Sequence, residues 1–183
     1  MSEWQDGAAE GRRSLYYAGS HSVFWMIWMF VMPACVVSLG ATRTKGLPLE
    51  DNNASVFRYD NEMIVTLHTS ETENAAPLAT EIYGLEGSLV QVRGDILSTR
   101  ADFGDAGTLM LYTNEMGQWD PLPGMAREFQ PEGSSPPDRF FNALTSGDPM
   151  PVSMYDGKKC VQILAAAELA SIEKREVELS EIL

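Results

Sequence analysis

The chain has 183 residues, 44% of them hydrophobic and 21% charged, which is room for one domain and enough apolar side chain to exclude wholesale disorder. Thirteen Lys and Arg against 26 Asp and Glu leave a formal charge of −13. That balance argues against nucleic acid, whose binding needs cations to displace counterions, and against docking on an anionic membrane surface. Cys35 and Cys160 have no CxxC or CxxH neighbours, so spacing points to neither zinc nor a disulfide framework. They read as two buried, reduced thiols of a cytoplasmic protein.

Residues 1–13 are polar and read as a frayed tail, leaving one domain over 14–183. No charged residue occurs from Ser14 to Thr42, and Val23 to Leu39 is a continuous apolar run. Three readings compete for it. Seventeen residues reach the lower limit of about 17–25 for a membrane span, but Pro33 interrupts them. Arg12-Arg13 followed by an apolar stretch and Met32-Pro33-Ala34-Cys35 sketches an export signal over residues 12–39, with polar residues separating the arginines from the core. The third reading is a buried helix ending near Met32 and a strand over Ala34–Thr44. The sequence prefers it, because at Pro33 the run changes from Trp/Met/Phe to Cys-Val-Val-Ser-Leu.

A hairpin follows, Ala54–Tyr59 and Met63–Thr69 about a turn at Asp60-Asn61-Glu62, with period-2 alternation. A second joins Leu78–Tyr83 to Ser88–Arg93 through Gly84-Leu85-Glu86-Gly87, and short strands are expected at Asp95–Arg100 and Thr108–Thr113. Ser135-Pro136-Pro137-Asp138 starts a helix that stops at Gly147. Ser153-Met-Tyr-Asp156 starts another, running to about Lys174 with Cys160, Ile163, Leu164 and Ala167 on one face. Glu176–Leu179 reads as a closing edge strand. The class is α+β: an open, mainly antiparallel sheet with helices packed on one face.

This order of elements, with three motifs, resembles the C-terminal domain of the Gfo/Idh/MocA oxidoreductases, the glucose–fructose oxidoreductase and inositol dehydrogenase family. Tyr17-Ala-Gly19-Ser-His21 with Trp28 seven residues on is similar to the family's D-x-G-x-H-x-x-D-x-x-x-W helix. Glu81-Ile-Tyr-Gly-Leu-Glu-Gly-Ser-Leu89 is similar to its E-x-Y-G-x-x-G-S-L hairpin. Phe140–Leu144, Pro151-Val-Ser153, Asp156-Gly157 and Val177-Glu-Leu179 match its closing helix pair and last strand.

The resemblance implies a partner to an N-terminal Rossmann domain that holds NAD or NADP. This sequence has no G-x-G-x-x-G turn and no E-K-P motif, so no cofactor is expected on this chain alone. It also implies His21 as a proton-transfer residue. The family's two carboxylate positions beside it are Tyr17 and Phe24 here, which leaves His21 without an orienting acid and Tyr17 as a poor substitute at an ordinary pKa of about 10. The alternative for His21 is a helix histidine with only a structural role. His68 reads as a strand residue in packing or solvent. The Trp25/Trp28/Met29/Met32 stripe reads as core or interface. Asp60, Asp95, Asp102 and Asp105 form no metal-ligand spacing.

The expected function is the substrate-binding and oligomerisation half of an NAD(P)-dependent sugar or polyol oxidoreductase. It would work as a homo-oligomer through the sheet face or as a hetero-oligomer with a Rossmann-bearing subunit, and would not transfer hydride alone. The alternatives are a non-catalytic scaffold docking on a full-length relative, and an exported or membrane-tethered domain addressed by residues 12–39.

Overall fold

The computed structural model describes residues 14–44, 46, 49–72, 79–92, 109–122, 136–147 and 149–182. In chain order the elements are α1 (Ser14–Tyr17), α2 (Gly19–Phe30), β1 (Cys35–Ala41), β2 (Asn52–Arg58), β3 (Ile64–Ser70), β4 (Ala79–Tyr83), β5 (Gly87–Val92), β6 (Leu109–Thr113), β7 (Trp119–Leu122), α3 (Pro136–Ser146), α4 (Met154–Glu173) and β8 (Val177–Glu178). The class is α+β with antiparallel sheets. Two compact units divide the chain, one formed by Met1–Thr72 with Val152–Leu183 and the other by Glu73–Pro151. The expected tail over residues 1–13 and the strand expected at Asp95–Arg100 lie outside the described residues.

The first unit holds a four-stranded sheet in the order β3-β2-β1-β8. Its register sets Val36 opposite Phe57 and Phe57 opposite Val65. Because side chains alternate across a strand, Val36, Ser38, Asn53, Ser55 and Phe57 are buried while Val37, Leu39 and Val56 are exposed. The helices cover the buried face. Leu15, Val23 and Met26 from α1 and α2 meet Ile163, Leu164, Ala166, Ala167 and Ala170 from α4 in one core with Phe57 and Val177. Alanine on three α4 positions lets that helix lie close on β1.

Two polar arrangements sit inside this unit. Ser38, Asn53 and Ser55 form a closed triangle: Asn53 Nδ2 donates to Ser38 Oγ (3.0 Å), Ser55 Oγ donates to Asn53 Oδ1 (2.7 Å), and the serine hydroxyls lie 2.9 Å apart. Their mutual bonding meets the cost of placing hydroxyls and an amide beneath helices. Asp51 is also buried, and burial alone raises a carboxyl's pKa. Hydrogen bonds from Thr44, from the Arg43 and Thr44 backbone amides (2.8 and 2.7 Å) and from Asn52 outweigh it and hold Asp51 well below the usual carboxylate range.

The apolar run is a helix followed by a strand, as its change of character at Pro33 predicts. Val31 ends α2 at φ 63° and ψ −149°, a conformation that a β-branched residue rarely adopts. Twelve residues make α2 roughly 18 Å long at about 1.5 Å per residue, and among the described residues no helix is long and apolar enough to cross a membrane. The Trp25/Trp28/Met29 side of α2 is not core: Trp28 is 76% exposed, and Trp25 and Met29 are exposed too. Val23 and Met26 face inward instead, because Gly19 brings this end of the helix against β3, where a Cβ would lie 3.4 Å from Thr69 Cγ2 and 3.2 Å from Leu15 Cδ1.

The second unit holds a sheet in the order β4-β5-β6-β7. The β4–β5 hairpin closes through a hydrogen bond from the Gly84 amide to the Gly87 carbonyl (2.8 Å), and a Cβ on Gly87 would collide with the Tyr112 carbonyl. Strand β7 is an addition to the sequence reading. It carries Pro121, which cannot donate to a ladder and is tolerated here because β7 is the sheet edge. Helix α3 ends where Gly147 takes φ 77° and donates to the Ala143 carbonyl (3.1 Å). The predicted capping residue Ser135 lies outside the described residues.

Candidate functional site

His21 sits near the start of α2 and lines a groove of about 490 Å³ within the first unit. Tyr16, Ser20 and Phe24 share its wall with His21, and Gly157, Cys160, Val161 and Leu164 of α4 form the other. The α4 side is set by local chemistry. Ser153 caps the helix in a reciprocal box with Asp156, whose carboxylate accepts from the Ser153 amide at 2.9 Å. This box fixes the first turn, and Gly157, Cys160, Val161 and Leu164 then recur at helical spacing along one stripe.

Two contacts bind the two walls and a third lies within the α1–α2 side. The Cys160 thiol donates to the Ser20 carbonyl at 3.6 Å, and burial pushes that thiol's pKa up, so it stays protonated and unreactive. Ser20 Oγ donates to the Tyr17 carbonyl at 3.1 Å. Tyr16 Oη donates to Glu168 Oε2 at 2.7 Å, which places a carboxylate one turn beyond Leu164. The lining thus offers the rings of Phe24 and of Tyr16, the latter held by an acid, with the His21 imidazole and the Ser20 hydroxyl.

Of the sequence candidates, His21 lies in the groove. Tyr17 does not line it and is 46% exposed. His68 is exposed on β3, across from Ala54, apart from the groove lining. Asp60 is exposed in the β2–β3 turn, and Asp95, Asp102 and Asp105 lie outside the described residues. The sequence named Gly157 only as part of the closing-helix motif and gave no site role to Tyr16 or Glu168. The i, i+4 spacing of Gly157, Val161 and the adjoining Leu164–Glu168 pair was the signal available for the α4 wall; nothing in sequence joined that helix to Tyr16.

A dinucleotide finds no cradle at two of the helix N-termini. At α1 the Glu50 carboxylate already accepts from the Leu15 amide (3.1 Å) and the Ser14 hydroxyl (2.7 Å), and at α4 Asp156 fills the same role. Each puts a negative charge where a pyrophosphate would need amides. Gly19 of α2 is packed on Leu15 and Thr69.

One further cluster was not foreseen. Cys35 Sγ and carboxylate oxygens of Glu176 and Glu178 lie within 4.8 Å of one another. Arg58 Nη2 already pairs with Glu176 at 3.0 Å. Burial, then the hydrogen bond and charge of Glu176, raise the Cys35 thiol's pKa, so the group is a protonated thiol beside an ion pair. Both cysteines are free and buried.

Comparison with known proteins bears on this site. Residues 1–90 match the GFO/IDH/MocA C-terminal domain family. Among curated proteins none matches the sequence. An oxidoreductase from Agrobacterium radiobacter, solved in complex with NAD+, L-tartaric acid and magnesium, superposes with a TM-score of 0.73 at 16% identity, over 99% of this chain and 54% of that one. Aldose-aldose oxidoreductase from Caulobacter crescentus, complexed with glycerol, gives 0.72 at 16% identity over 90% of this chain and 47% of that one. A levoglucosan dehydrogenase in complex with NADH gives 0.70 at 14% identity over 91% and 50%. At these identities the likeness is one of fold, and this chain spans about half the length of each. The motif spacing around Gly19 and His21 and the match over residues 1–90, just under half of the chain, make it similar to the Gfo/Idh/MocA C-terminal domain, and the shared fold is consistent with that.

Proposed function

We propose that the chain is the substrate-binding and oligomerisation half of a sugar or polyol oxidoreductase whose NAD or NADP site is supplied by a Rossmann-type domain. The observation that carries this is the groove itself, with His21 on the family-spaced helix facing Gly157 and Cys160 of α4. The lining suits a hydroxylated ring: Tyr16 and Phe24 offer apolar faces for its C–H side, and the His21 imidazole and Ser20 hydroxyl offer polar partners for its oxygens. The names of the three related structures include levoglucosan, glycerol and L-tartaric acid, each a polyhydroxylated molecule.

In this reading His21 accepts the proton of the reacting hydroxyl on an imidazole nitrogen, and the rings hold the carbon skeleton while excluding water from one side. The dinucleotide supplies redox chemistry from its own domain. Oligomerisation is assigned to the sheet face opposite the helices, where Val37, Leu39, Val56 and Ile64 are exposed. The two free cysteines support a cytoplasmic setting.

The test mixes the chain with a Rossmann-bearing relative and follows NADH formation with glucose or myo-inositol as substrate. Turnover that His21→Ala removes is expected. Turnover equal in the two proteins would reject His21, and tight binding of NAD(H) to the chain by itself, seen by calorimetry, would reject the division of labour.

A second reading, a non-catalytic scaffold that docks on a full-length relative, is favoured by one observation. The two positions that would orient His21 with carboxylates hold Tyr17 and Phe24, and Phe24 lines the groove. Assembly with the relative without any gain in turnover supports it.

A further inference from the structure

Among the described residues, several glycines have a plain backbone or packing reason to lack a side chain. Gly19 and Gly87 are required by close neighbours, and Gly46, Gly117 and Gly147 by positive φ. Gly157 has neither reason. It is the fourth residue of α4, its amide bonds the Ser153 carbonyl at 3.2 Å, its φ is ordinary, and a Cβ built on it meets nothing within 4 Å. A glycine in a helix is less favourable than alanine there. Yet Gly157 lines the groove beside His21, so the space its Cβ would enter is the groove.

We infer that Gly157 is a specificity-determining position, whose missing side chain admits a cyclic polyol, rather than only a short acyclic one, next to His21. This rests on the reading that the groove takes a hydroxylated substrate. A ring stacked on Tyr16 or Phe24 extends across to the α4 wall, and there Gly157 is the one residue without side-chain volume. A methyl placed at 157 crowds the ring while leaving the protein core untouched, because no core atom lies near it.

The experiment titrates the chain with myo-inositol and, separately, with glycerol, following the ring C–H signals of His21 by NMR. His68 on β3, outside the groove, serves as the internal reference. The wild type is expected to bind myo-inositol with shifts confined to His21. Gly157→Ala weakens that affinity about tenfold, Gly157→Leu abolishes it, and both bind glycerol as the wild type does. Gly157→Ala also melts at a higher temperature than the wild type, which separates a blocked groove from a damaged fold. Equal myo-inositol affinity in all three proteins, or an equal loss for glycerol, overturns the inference while leaving the substrate reading standing. Absence of any His21 shift in the wild type with either ligand overturns both.

Discussion

Tyr16 and Glu168 are 152 positions apart in sequence and joined by a 2.7 Å hydrogen bond that ties α1 to α4. The bond is part-buried and its acceptor is a carboxylate, so it belongs among the stronger side-chain links in the first unit. Tyr16→Phe should lower stability by about 1–2 kcal/mol in a urea denaturation series. Combining it with Glu168→Gln should cost less than the sum of the two single changes, since each alone already breaks the pair. Strict additivity would mean that the hydroxyl and the acid do not couple in solution.

Val31→Gly should stabilise the protein. Glycine adopts the φ of 63° found at the end of α2 without the steric cost that valine bears. The gain is set at about 1 kcal/mol, a rise in Tm of roughly 2–4 °C for a chain of this size. The amide donor to Ile27 is kept, so a drop in Tm would show that the side chain of Val31 does more than end the helix.

Glu181 gives the clearest pH dependence. The Arg175 guanidinium, followed by the Glu178 amide, holds it at about 2, against an ordinary 4.5. Because the folded value is depressed, the stabilisation is fully present above about 4.5 and is lost as pH falls toward about 2. Urea midpoints measured across that window should fall with acid in the wild type and fall less in Glu181→Gln. Parallel curves would remove the Arg175–Glu181 pair from the acid response.

Ser55→Ala opens the buried triangle. The Asn53 side-chain oxygen loses its 2.7 Å donor and Ser38 loses its neighbour at 2.9 Å, both in a buried setting. A cost of about 1–3 kcal/mol is expected from equilibrium unfolding. A neutral result would mean that Asn53 and Ser38 repair the gap between themselves.

Much of this fold is legible along the chain because local rules decide it. Alternation gave the β2–β3 and β4–β5 hairpins, Pro33 separated α2 from β1, and the Ser153–Asp156 box marked the start of α4. Strand β7 has no sequence signal of its own for an equally local reason: it is four residues long with a proline inside, and only β6 supplies the pairing. The sequence left the Trp25/Trp28/Met29/Met32 stripe as core or interface, because a run that is apolar all round has no readable inward face. Gly19 chooses the face by its fit on β3, a tertiary fact. His21 could be named from the family resemblance, but the groove could not. Its walls come from opposite ends of the sequence, brought together by core packing of α1 and α2 on α4 and by the Tyr16–Glu168 and Ser20–Cys160 contacts.

Strand β1 is flanked by β2 on one side and by β8 on the other, and α4 lies across it. The first unit is therefore assembled from two stretches that ribosomal synthesis delivers far apart in time. Val36 and Phe57 share their core with Leu15, Val23 and Met26 of α1 and α2, made before them, but the α4 residues 163–170 that complete it are made only after the entire second unit. The core of the first unit therefore closes only when the last helix of the chain has been made, a long-range closure set by the topology rather than by any single residue.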